Sequence, residues 1–196
     1  MKKIIALLLT VAICFAFAAC AGEETDKDLI QTNENNKQQE VVEKIETEEP
    51  KLEMTMGQKN ALASAKSYLS FSAFSYEGLI NQLEFEQYSY EDAVFAADNC
   101  GAVWNDQALK SAKSYLEFSA FSYNGLIKQL EYEKFTSEQA KYAADNCGAD
   151  WNEQAAKSAE SYLSFSSFSR DGLISQLEYE GFTREQAEYG ASVNGY

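Results

Sequence analysis

Carboxylates two residues apart are the first groups in this chain whose type and spacing suit chemistry. Glu84 and Glu86 return as Glu131 and Glu133 and again as Glu178 and Glu180. Paired acids serve general acid–base catalysis when a pocket drives their pKa values apart, and cation recognition when they stay in water. Tyr76 and Tyr123 share one register with Arg170 in the third copy. A buried position rarely accepts that exchange, so both tyrosines are expected on the surface beside the acids. The chain holds no histidine, no glycine-rich phosphate loop and no serine with a plausible base. An enzyme is therefore not expected. The repeated acids and tyrosines are read as candidate contacts to a protein partner, against the plainer reading of solvated helix-end charges.

Cofactor chemistry finds no better footing. Cys100 and Cys147 are equivalent in consecutive units, but two thiolates without histidine do not complete a tetrahedral zinc site. The third unit has Asn194 there, so no bridge is required within a unit. The cysteines are read as partly buried thiols near helix ends, with an inter-unit disulfide as the alternative. "DNCGADWNE" lacks the alternating oxygen ligands of an EF-hand loop and fits a helix stop followed by a helix start. Neither a metal nor a free cofactor is expected.

What must position these residues is a repeat. Tyr68, Tyr115 and Tyr162 are 47 residues apart, as are Gly101, Gly148 and Gly195. A fixed period of this length marks one supersecondary unit reused, either stacked or strung as beads. Within a unit, Leu62, Ala65 and Leu69 set a helical stripe that ends near Ser72. Ser75 caps a second helix carrying Leu79, Ile80 and Leu83, and Ser89 opens a third with an alanine face at Ala93, Ala96 and Ala97. Thr136 with Gln139, and Thr183 with Gln186, have capping-box spacing. Asp150 is positioned to cap the last unit's first helix, where Val103 stands one unit earlier, and the three period-47 glycines mark left-handed helix stops. Gly78, Gly125 and Gly172 sit early in the second helix, although glycine there costs about 1 kcal/mol relative to alanine, which implies a close backbone approach. Trp104 and Trp151 are expected to pack one unit's start against its predecessor's end. Phe71, Phe74 and their counterparts Phe118 and Phe121 are expected mostly in the cores. The fold class is all-α: three tandem three-helix, helix-turn-helix-like repeats after a disordered tether.

The chain opens "MKKIIALLLTVAICFAFAAC", two lysines before an apolar run too short for a convincing permanent span, which reads as a signal peptide over residues 1–19. Its end, Phe17-Ala18-Ala19-Cys20, resembles the lipobox of bacterial lipoproteins, with a diacylglyceryl group on Cys20; ordinary cleavage leaving a thiol is the alternative. Loss of Lys2 and Lys3 moves the formal net charge from −15 to −17. Residues 20–57 comprise Cys20 and an acidic, aromatic-free tether with a reach of about 35 Å. The repeats are placed at 58–101, 102–148 and 149–196.

"SAKSYLEFSAFSYNGLIKQLEYEKFTSEQAKYAADNCGADWNEQA" is similar to the repeat of the host cell surface-exposed lipoprotein family, and the likeness spans Ala61 to Tyr196. It implies small three-helix modules held on the outer face of the bacterial cytoplasmic membrane, and superinfection exclusion: blocking phage DNA entry by engaging the phage tape measure protein. The third copy departs from the pattern, with "ASVNG" where the others read "ADNCG", which suggests a cap. The helix-turn-helix likeness does not imply DNA binding, because an acidic, exported chain repels phosphates. Acids shown once per unit would instead meet a basic protein with several weak contacts at once. The expected protein is a monomer that binds a protein partner and the membrane, through its lipid, but no nucleic acid. A non-phage binding or adhesion lipoprotein of the host envelope is the alternative.

Overall fold

The structure, a computed structural model, describes residues 53–196. The expected signal peptide, Cys20 and most of the expected tether lie outside the described residues. Among the described residues no helix is long and apolar enough to cross a membrane. All regular structure here is helical: α1 (Met56–Phe71), α2 (Tyr76–Phe85), α3 (Tyr90–Asn99), α4 (Trp104–Phe118), α5 (Tyr123–Tyr132), α6 (Ser137–Asn146), α7 (Trp151–Phe165), α8 (Arg170–Tyr179) and α9 (Arg184–Val193). Three helices fall in each repeat.

The helix ends follow local hydrogen-bonding chemistry. Ser75, Ser122 and Ser169 cap the second helices, Ser89, Thr136 and Thr183 the third, and the two threonines form reciprocal boxes with Gln139 and Gln186. Asp150 accepts from the amides of Asn152 and Glu153, whereas Val103 makes no side-chain cap. Gly101, Gly148 and Gly195 take φ of 80°, 78° and 99°, the left-handed stops that the period implied. One boundary moves. Thr55 and Gln58 form a capping box, so α1 starts at Met56, inside the segment assigned to the tether.

A second set of stops was not foreseen. After α2, α5 and α8 the chain turns through Gln87, Lys134 and Gly181, all at positive φ. The next amide reaches back to the third-last helical carbonyl, as in Tyr88 to Leu83, Phe135 to Leu130 and Phe182 to Leu177. This Schellman geometry folds an aromatic ring back onto the helix it has just left. Phe135 and Phe182 are buried by it, and Tyr88 packs against its own core.

Within a repeat the first and second helices both pack on the third. Alanines make the contact: Ala61 and Ala65 face Ala93, Ala96 and Ala97, and Leu79, Ile80 and Leu83 fill the third side. Small side chains let helix axes approach closely, and each buried leucine contributes about 2 kcal/mol. The other repeats have cores of their own. Among the described residues, helices of different repeats do not pack along their lengths; adjoining repeats meet through helix ends. Trp104 belongs to the first repeat's core and Trp151 to the second's, as their place at the junctions suggested.

The third repeat differs where its sequence does. Gly190 stands where the others have Ala96 and Ala143, and a Cβ there would lie 2.7 Å from the Ala155 carbonyl oxygen. Asn194, in the place of Cys147, donates to the carbonyls of Ala156 at 3.0 Å and Gly190 at 2.8 Å. The Tyr196 hydroxyl donates to the Phe168 carbonyl at 2.5 Å, holding the turn before α8.

Candidate partner-binding surface

The joints between repeats decide which candidate residues remain available. Ser75 Oγ accepts from the Gly78 amide at 3.0 Å and donates to the Glu133 carbonyl, in the next repeat, at 2.5 Å. Ser122 does the same with Gly125 at 2.9 Å and Glu180 at 2.6 Å. Both serines are 2 % exposed. A Cβ on Gly78 would lie 2.7 Å from Ser75 Oγ, and one on Gly125 2.9 Å from Ser122 Oγ and 3.4 Å from the Glu180 carbonyl. The early-helix glycines thus keep room for a serine pinned between two repeats.

Tyr76 and Tyr123 belong to these joints, which corrects their expected exposure. The Tyr76 ring meets Trp104 edge-on at 5.4 Å, and its hydroxyl donates to Asp98 at 2.8 Å. Tyr123 meets Trp151 at 5.5 Å and donates to Asp145 at 2.7 Å. Both tyrosines are half-buried. The hydrogen bond to Asp98, followed by burial, raises the Tyr76 phenol above its ordinary range. Arg170 is exposed in the third repeat, whose core includes no tryptophan. The tyrosine-to-arginine exchange thus goes with the absence of a tryptophan from that core.

The six acids separate by position. Glu133 turns inward and accepts from Ser111 Oγ at 2.8 Å and from the Tyr115 hydroxyl; Glu180 accepts from Ser158 Oγ at 2.9 Å and from the Tyr162 hydroxyl. Burial, and then the adjoining carboxylate, pushes each of these tyrosines up to about 12. Glu133 and Glu180 therefore leave the set of displayed acids, since their oxygens are committed to their own repeats. In the first repeat Tyr88 takes the place of Phe135 and pairs with Ser64 at 3.0 Å, and Glu86 remains exposed. Local loss of water raises its carboxyl above the usual range. Glu84, Glu131 and Glu178 stand exposed at one register, one per repeat. Glu131 accepts from Ser137 at 2.6 Å, and Glu178 lies 3.3 Å from the Arg184 guanidinium.

The six most exposed aromatic rings of the described residues join them on the surface. Phe71, Phe118 and Phe165, the last residues of the first helices, are 84 %, 85 % and 88 % exposed. Phe85, Tyr132 and Tyr179, the last residues of the second helices, are 80 %, 72 % and 87 % exposed. The expected core role therefore holds for Phe74 and Phe121, packed on Tyr68 and Tyr115, and fails for Phe71 and Phe118. The helical wheel carried the signal: Phe85, two residues beyond Leu83 and six beyond Leu79, falls on the far side from the α2 stripe.

Other features offer less. An open depression of about 470 Å³ lined by Gly148, Asp150, Trp151 and Gln186 has as its acid only Asp150, which already caps α7. Cys100 and Cys147 are unpaired, half-buried C-cap residues whose thiols donate to the Ala97 and Ala144 carbonyls. No group of three or more His, Cys, Asp or Glu suited to a metal occurs among the described residues.

Residues 57–100, 103–147 and 150–192 each match the model of a family described as host cell surface-exposed lipoprotein. Among solved structures, one of Ltp, a superinfection exclusion protein from the Streptococcus thermophilus temperate phage TP-J34, is 35 % identical. The match covers 48 % of this chain and 98 % of that one, with a TM-score of 0.46. No curated protein matches the chain.

Proposed function

The chain belongs to the host cell surface-exposed lipoprotein family, and from that premise we propose that it excludes superinfecting phage. A diacylglyceryl group on Cys20 holds it to the outer face of the cytoplasmic membrane, since two acyl chains give stable anchoring where one does not. The tether sets the repeats within about 35 Å of the bilayer. There they engage a basic segment of an incoming phage's tape measure protein, and the phage DNA stays outside.

Three matches to one family, one per repeat, carry this reading. The 35 % identity to a phage superinfection exclusion protein supports it. Electrostatics sets the sign of the partner: with a formal net charge of −15 the chain repels phosphate polymers and attracts cations. The exposed acids Glu84, Glu131 and Glu178 recur at one register, so contacts that are weak singly act together once the first has formed.

The test is phage challenge of cells that express the full chain, with adsorption and DNA entry measured separately. Normal adsorption with phage DNA left outside is the expected result, and Cys20→Ser should lose most of the protection. DNA entry at the usual rate across a broad phage panel would overturn the reading, leaving a non-phage role in the host envelope.

A further inference from the structure

In every repeat a tyrosine hydroxyl of the first helix accepts a hydrogen bond from a glutamine of the second. Gln82 reaches Tyr68 at 3.2 Å, Gln129 reaches Tyr115 at 3.0 Å and Gln176 reaches Tyr162 at 3.1 Å. Each tie joins the last turns of the two helices, three residues before an exposed ring on both sides. Phe118 follows Tyr115 by three, and Tyr132 follows Gln129 by three. The six most exposed rings thus recur two per repeat, Phe71 and Phe85, Phe118 and Tyr132, and Phe165 and Tyr179, each three residues beyond a member of a tie.

Rings this open are not packing residues, because the cores are complete without them. Their sequence neighbours are acids. Glu84 and Glu86 flank Phe85, Glu131 precedes Tyr132, Glu178 precedes Tyr179 and Glu117 precedes Phe118, all exposed. A surface that carries open rings among carboxylates suits guanidinium and ammonium groups, which the negative charge attracts and the ring quadrupole holds. An anionic membrane would be repelled, and so would a second copy of a chain at −15.

We propose that these exposed rings are docking points for Arg and Lys side chains of a basic polypeptide, repeated in every unit, with the rings holding the cations that the acids attract. This rests on the reading of the repeats as a surface for a basic protein partner. It adds that the aromatic rings, not charge alone, set the affinity.

The experiment uses the full-length lipoprotein in neutral detergent, with fluorescent poly-L-arginine as probe at about 0.15 M salt. The triple variant F85A/Y132A/Y179A keeps every charge, and its exposed positions leave the thermal midpoint as a check on folding. Each ring contributes about two- to fivefold, so the triple variant should bind at least about tenfold more weakly with an unchanged salt slope. The variant E84Q/E131Q/E178Q should flatten that slope instead. Wild-type protein that ignores poly-L-arginine, a ring variant that binds it like wild type, or ring loss that weakens only self-association or binding to neutral vesicles would each overturn the proposal. Ring-dependent binding by a protein that gives no phage protection would keep it and remove the exclusion reading; phage exclusion with ring-independent binding would do the reverse.

Discussion

Ser75 donates its hydroxyl proton to the carbonyl oxygen of Glu133, 58 residues away, at 2.5 Å, while Ser75 Oγ accepts from the Gly78 amide and so caps its own helix. One side chain thus closes a helix and binds the next repeat. Moving it costs both bonds, and the adjacent glycine must stay small to leave it in place.

This arrangement sets apart two glycines that look alike in sequence. Gly125 faces Ser122, which is pinned by Glu180; Gly172 faces Ser169, which is exposed and has no carbonyl of a following repeat near it. Gly125→Ala should destabilise by about 1–3 kcal/mol through the displaced serine. Gly172→Ala should be neutral or stabilise by up to about 1 kcal/mol, because the helix gains propensity while Ser169 turns aside. Chemical denaturation of the two variants decides it, and equal effects would contradict the pinning.

Tyr115 and Tyr162 make stability depend on alkaline pH. Their folded values lie at about 12 against an ordinary 10.0, so between these limits the folded chain holds protons that the unfolded chain has released. The contribution is complete below pH 10 and is lost as pH rises towards 12. Thermal midpoints taken across that range should fall more steeply in the wild type than in Y115F/Y162F. Parallel curves would show that the two phenols are not protected by folding.

What the sequence revealed of this molecule was the chemistry settled within a few residues. Ser75, Ser89, Asp150 and Gly101 end or start helices through groups their neighbours supply, so residue type and spacing sufficed. Tyr76 and Glu133 were misplaced because their surroundings come from elsewhere: Trp104 from the next repeat, and Ser111 with Tyr115 from a different helix. The left-handed turn at Lys134 escaped notice because neither Lys134 nor Gln87 is a residue type that announces positive φ. Phe85 was legible in helical phase, whereas Phe71 and Phe118 were assigned to cores on composition alone.

Val103 leaves α4 without the cap that Asp150 gives α7. Val103→Asp should recover it, since the same two amides stand open and the helix N-terminus favours a negative charge. The expected gain is about 1 kcal/mol, or about 3 °C in Tm for a protein of this size. Val103→Asn separates hydrogen bonding from charge: it should retain most of the gain and show less dependence on salt. No gain from either variant would mean that α4 frays without consequence for the fold.

Gly190 gives the least intuitive expectation, because alanine occupies its place in both other repeats. A methyl group there would stand 2.7 Å from the carbonyl oxygen and 2.9 Å from the carbonyl carbon of Ala155, and backbone of a facing helix does not rotate away. Asn194 fixes the approach by bonding Ala156 across the same interface, where Cys147 and Cys100 bond only within their own helices. Gly190→Ala should therefore cost about 2 kcal/mol despite the better helix propensity of alanine. The cost should shrink when Asn194→Cys is added, since the bond from Asn194 to Ala156 that holds α9 to α7 is then lost. A double-mutant cycle measures this coupling, and strictly additive effects would show that Asn194 does not set the spacing.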